Sequence, residues 1–159
     1  MKRVIACLIA LSMLLALSAS AASSLSGDMF YYAKGTLTCL AAGDYNKVVT
    51  AVPFSGMSPS AQEWQNFAEY AFSSLIGSRP QTKYAVGYWT GSIWKIAVPL
   101  RTPDSDGVET LVLTSEDGRT CSGYGSAHWG SVRSEYQNAA HVTWNEEYIS
   151  SGSVIVEYD

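Results

Sequence analysis

Residues 58–98 read SPSAQEWQNFAEYAFSSLIGSRPQTKYAVGYWTGSIWKIAV, and the hydrophobic period changes in the middle of this stretch. In the first half, Trp64, Phe67, Ala68, Ala71, Phe72 and Leu75 follow the i, i+3, i+4, i+7 spacing of a helix that buries one stripe. Ser58-Pro59 opens the helix, Ser60-x-x-Glu63 forms a capping box one turn later, and Gly77 is the expected stop. After Pro80 the period falls to two. Tyr84, Val86 and Tyr88 alternate with Lys83, Ala85 and Gly87, and Trp94, Ile96 and Val98 resume the alternation after Thr90-Gly91-Ser92. That pattern predicts a hairpin.

The same division extends outward in both directions. Upstream, Tyr32, Ala33, Thr36, Leu37 and Leu40 fall at helical spacing, with Asp28 as the expected cap and Gly43 as the end. Tyr45 to Val52 predicts a second short helix behind Asp44, stopped by Pro53. Downstream, Val108 to Thr114 and Cys121 to Tyr124 predict a second hairpin around Asp117-Gly118. Trp129, Val132, Tyr136 and Ala139 return to helical spacing, and His141 to Trp144 and Ser153 to Tyr158 predict a last strand pair. Helices first and antiparallel strands afterwards predict one α+β domain, N-terminal helices packed on a curved, mainly antiparallel sheet.

The N-terminus has a different character. Lys2 and Arg3 precede an apolar run from Val4 to Leu17, broken only by Ser12, and Ala19-Ser20-Ala21 follows. This is the pattern of a secretory signal peptide. The expected organisation is therefore residues 1–21 as the signal and 22–159 as the single domain, in a secreted or cell-envelope exterior location. The run is short for a membrane anchor, so no span is expected in the mature chain.

The 159 residues carry a formal charge of −4, and loss of Lys2 and Arg3 makes the balance more acidic. An acidic chain without a basic face does not suit nucleic acid. With Cys7 removed in the signal, Cys39 and Cys121 remain, and two cysteines in an oxidising compartment are expected to pair. Closing so long a loop stabilises a fold by roughly 4–5 kcal/mol in the chain-entropy account.

Candidate chemistry is thin. Cys121-Ser122-Gly123, with His141-Val142 downstream, resembles the nucleophile region of NlpC/P60 cysteine peptidases, which set a thiolate at a helix start beside an imidazole. Only 38 residues follow Cys121, whereas most of that catalytic domain follows its Cys. His128 and His141, with Glu135, Glu146 and Glu147, are the residues available for acid–base work or metal binding. They lack the His-Glu-x-x-His spacing, so no metal or cofactor is assigned.

Aromatic content is the unusual feature, at 12% Phe, Trp and Tyr. Tyr88 and Trp89 must face opposite sides of their strand. Aromatics flanked by Ser and Gly suit a sugar ring or a protein surface. The expected ligand-binding face comprises Tyr88, Trp89, Tyr124, His128 and Trp129. The function expected from these residues is a non-enzymatic binding or accessory domain for a glycan, peptide or envelope protein. The rival is a small secreted hydrolase or isomerase using His128 or His141 with a carboxylate, or Cys121 as nucleophile.

Leu40-Ala41-Ala42-Gly43-Asp44-Tyr45, a helix ending in a Gly-Asp-Tyr turn ahead of further helix and a meandering sheet, resembles exported NTF2-like domains. The resemblance implies a cone of curved sheet around helices. It carries over no Asp/His catalytic pair.

Overall fold

The computed structural model describes residues 24–80, 82–148 and 152–157. The proposed signal, residues 1–21 with Cys7, lies outside the described residues. The fold is α+β, as expected; the described residues form four α-helices and a curved, open antiparallel sheet.

Helix α1 spans Gly27–Ala42. Its cap is Ser26 rather than Asp28: the Ser26 hydroxyl accepts from the Asp28 amide at 3.3 Å, because the helix starts one residue before Asp28. Met29, Phe30, Ala33, Leu37, Leu40 and Ala41 form its buried stripe. Gly43 closes it at φ 74°, a left-handed conformation that glycine adopts without a Cβ clash. The amides of Gly43 and Asp44 then donate to Leu40 and Cys39 carbonyls. Helix α2 is Tyr45–Ala51, and the Asp44 carboxylate pairs with Lys47 rather than capping it.

Helix α3, Ala61–Ala71, carries the complete capping box between Ser60 and Glu63. It is one turn shorter than its hydrophobic stripe. Phe72 turns extended, and the Ser73 amide and hydroxyl both donate to Glu109 Oε1, at 3.2 and 3.0 Å. Leu75 still reaches the core from the segment beyond, so the apolar spacing continued past the end of the helix.

After a single 3₁₀ turn at Thr82–Tyr84, strands β1 (Ala85–Trp89), β2 (Trp94–Pro99), β3 (Glu109–Ser115) and β4 (Gly123–His128) form an antiparallel meander. Helix α4 (Trp129–Tyr136) crosses back, and β5 (Val142–Tyr148) pairs with the free side of β1, followed by β6 (Gly152–Glu157). The order is β4-β3-β2-β1-β5-β6, so the first strand in the sequence lies inside the sheet.

Strand alternation gives the sheet two apolar faces. Ala85, Trp94, Ile96, Val98, Leu111 and Leu113 pack against α1 and α3 in the main core. Val86, Tyr88, Ala97 and Val112 point the other way, under Trp129 and Val132 of α4. The helix layer approaches closely at Gly87, where a Cβ would overlap Leu25 Cδ2 and lie 2.9 Å from Phe30 Cζ. Gly118, at φ 72°, accepts the Ser26 amide on its carbonyl and thereby ties the chain ahead of α1 to the β3–β4 turn.

Among the described residues no helix is long and apolar enough to cross a membrane. The expected Cys39–Cys121 disulfide is corrected by the structure: both thiols are free. Counting cysteines says nothing of where the backbone puts them. Cys39 opens on a cavity beside α2. Cys121 is fully buried and fixed by its own backbone, its amide donating to Pro53 at 2.8 Å and its carbonyl accepting from Ser55 at 2.9 Å.

Candidate functional site

The five aromatic-face residues do not share one surface. Tyr88 and Trp129 are 1% and 2% exposed and belong to the cluster beneath α4, with Tyr136 and Trp144. Trp89 and Tyr124 are half-buried on the opposite face. Tyr124 sits among Trp64, Phe67 and Phe54, its ring centre 4.2 Å from that of Trp64. His128 is exposed at the end of β4. The second sheet face is thus occupied by the protein's own helix.

One of the five lines a concave site. At the tip of the β1–β2 hairpin, where the C-terminal end of α4 approaches, a cavity of about 520 Å³ is bounded by Trp89, Thr90, Gly91, Lys95, Glu135 and Asn138. Each wall has a local cause. The two-stranded register places Trp89 opposite Trp94, which puts Tyr88 opposite Lys95. The rings of Trp89 and Trp94 meet at 5.5 Å, supporting one side of the Trp89 indole. Gly91, at φ 97°, makes the tight turn. Trp129 and Val132 fix α4 on the sheet, which carries Glu135 over the hairpin.

Glu135 organises the polar wall. Tyr88 Oη donates to its Oε2 at 2.8 Å and Lys95 Nζ donates to the same oxygen at 2.6 Å. Partial burial pushes this carboxyl upward, but the hydrogen bonds from Lys95 and Tyr88 and the Lys95 charge outweigh it and hold the acid below its usual range. Tyr88 is pushed up, by burial first and by Glu135 second, so its phenol stays a donor. The Asn138 amide donates to the Ser134 carbonyl at 2.7 Å. The site therefore offers a carboxylate, an ammonium and the Thr90 hydroxyl around one cavity, with Trp89 at its edge and the Trp89 ring packed toward Trp94.

The residues of the rival chemistry are dispersed. His141 is exposed beside Trp94, 6.5 Å between ring centres. His128 faces Glu109 across the β3–β4 pairing, yet the Glu109 carboxylate is taken by Ser73. Among the described residues no His pairs with a carboxylate, and no group of three metal-ligating side chains converges. Cys121 is pushed up to about 12, by burial and then by Asp117, the reverse of what a nucleophilic thiolate requires.

This yields a direct expectation. Iodoacetamide reacts with Cys39 in the folded protein and with Cys121 only after denaturation, read by peptide mass mapping. Labelling of native Cys121 would restore the nucleophile reading.

Lys95 and Asn138 were not singled out in the sequence, and Glu135 only as a carboxylate available to the histidines. Lys95 had a readable signal, a lysine on the apolar-flanked strand at the position that a tight turn pairs with Tyr88. Nothing in the sequence placed Glu135 or Asn138 at this cavity, since their position depends on the packing of α4. No family model, no curated protein and no solved structure matches this chain.

Proposed function

We propose that this protein is an exported, non-enzymatic binding module that takes a glycan at the hairpin-tip cavity. The observation that carries the reading is the Tyr88–Glu135–Lys95 network on the wall of a cavity whose edge is formed by the half-buried Trp89 at the end of β1. A sugar ring presents an apolar face that rests on an indole and a rim of hydroxyls that need both donors and acceptors. The cavity supplies donors and acceptors in one sugar-sized space with Trp89 at its edge, and its volume lies in the range of small-ligand pockets. Export rests on the Lys2-Arg3 start, the apolar run and Ala19-Ser20-Ala21. Three helices ahead of a curved sheet support an NTF2-like relationship in fold, which carries no activity with it.

The test is binding of the mature domain to an array of soluble oligosaccharides, with hits measured by calorimetry. Trp89→Ala is expected to weaken binding at least tenfold, about 1.4 kcal/mol. Its stability loss should stay near half of that for a core tryptophan, roughly 1.5–2.5 kcal/mol, because the residue is half-buried. Binding to peptides or envelope proteins but to no glycan, or unchanged binding in Trp89→Ala, would refute the reading.

A further inference from the structure

A second cavity of about 530 Å³ lies between α1 and α2, with Thr82 on its rim, and it shares no residue with the hairpin-tip site. Its floor is apolar, built in part from the buried Val48 and Val52. Two charged residues line it, Lys34 and Lys47, and no described lining residue is acidic, although the chain as a whole is. Lys34 is only 6% exposed and so is held within the wall, whereas Lys47 is exposed and paired with Asp44.

Two features of α1 lack an explanation within the fold. Thr36 is 2% exposed, and its Oγ1 has no hydrogen-bond partner. The other two helical threonines on the lining, Thr38 and Thr50, return their hydroxyls to helix carbonyls. A buried hydroxyl without a partner is unfavourable, and rotation about χ1 exchanges it with the methyl group. Gly35 sits inside the helix, where glycine is disfavoured relative to alanine, yet its backbone is not left-handed and a Cβ built on it meets nothing within 4 Å. Neither turn nor packing requires that glycine. What the missing side chain does is leave this cavity open.

We propose that the α1–α2 cavity binds an amphipathic monoanion, a carboxylate on an extended apolar chain. The chain lies along the apolar floor past Gly35, and the carboxylate meets Lys47 and Lys34 and accepts the Thr36 hydroxyl.

The probe is decanoate below its micellar concentration, titrated by calorimetry, with decyltrimethylammonium as the same chain bearing the opposite charge. Saturable binding of decanoate alone is expected. Gly35→Leu should abolish it while the melting temperature stays level or rises, since the new side chain enters open space. Lys47→Met, at an exposed position, should weaken it at least threefold, and Thr36→Val should also weaken it. No saturable decanoate binding, equal binding of the cation, or wild-type affinity in a folded Gly35→Leu would each overturn the proposal. Should Gly35→Leu fail to fold, Lys47→Met decides, and unchanged affinity there overturns it.

Discussion

Trp64→Ala lowers the stability of this domain by about 3–5 kcal/mol, the range for a fully buried aromatic. Trp64 has no exposed surface and lies at the centre of a ring cluster, 4.2 Å from Tyr124, 6.0 Å from Phe67 and 6.3 Å from Phe54. Its removal leaves a void between α3 and the sheet that only the partial collapse of those three rings can fill. At this chain length the loss corresponds to a fall of about 10–15 °C in melting temperature. The indole N–H modifies the expectation in an informative way. It is buried without a hydrogen-bond partner, which costs roughly 1–3 kcal/mol in the native protein. Trp64→Phe removes that orphan donor together with part of the ring, so it should cost less than about 1.5 kcal/mol. Urea denaturation of both variants checks this. A loss in Trp64→Phe well above about 1.5 kcal/mol would show that the N–H is satisfied in solution.

Trp129→Ala has a comparable expected loss, about 3–5 kcal/mol, with a different consequence. Trp129 is 2% exposed, and its ring stands between Tyr136 and Trp144 at 6.0 and 6.1 Å. Helix α4 has only eight residues, far too few to persist without tertiary support. Losing this anchor releases the helix, and with it the carboxylate that holds Tyr88 and Lys95. Trp129→Ala should therefore lose stability and hairpin-tip binding together, whereas Trp89→Ala loses binding with most of its stability kept. Amide exchange adds a local readout, since protection in 129–136 should fall in Trp129→Ala and persist in Trp89→Ala. Equal melting temperatures for the two variants would remove the distinction between a structural tryptophan and a binding one.

That distinction marks the limit of what the sequence discloses. The capping box at Ser60 and Glu63, the Gly43 stop and the β1–β2 hairpin are encoded within a few neighbouring residues, and all three form as read. The opposite facing of Tyr88 and Trp89 is likewise a property of one strand. What covers each face is not. Trp129 read as the first residue of a helical stripe and as part of the aromatic binding face. It became core because α4 folds back over Val86, Tyr88 and Val112. Glu135 meets Tyr88 across 47 positions of chain, and no spacing rule reaches that far. The end of α3 failed for a related reason: the hydroxyl and amide of Ser73 found Glu109, a strand residue, and the last turn unwound toward it. Cys39 and Cys121 were matched by number, and geometry left them apart as thiols.

The position of β1 within the sheet sets the order of events in folding. Helix α1 is sealed by residues of β1, β2 and β3, its leading segment is tied to Gly118, and β1 gains its second neighbour only from β5. Each of these pairings joins parts of the chain that are distant in sequence, so the entropy of closing large loops is spent before the core rewards it. A ribosome delivering this chain from its N-terminus emits three helices whose sheet-facing sides stay uncovered until residues 94–113 have emerged. The early chain is therefore kept open through much of its synthesis, a kinetic delay written into strand order. Translocation machinery that threads unfolded polypeptide would meet a substrate that has not yet closed.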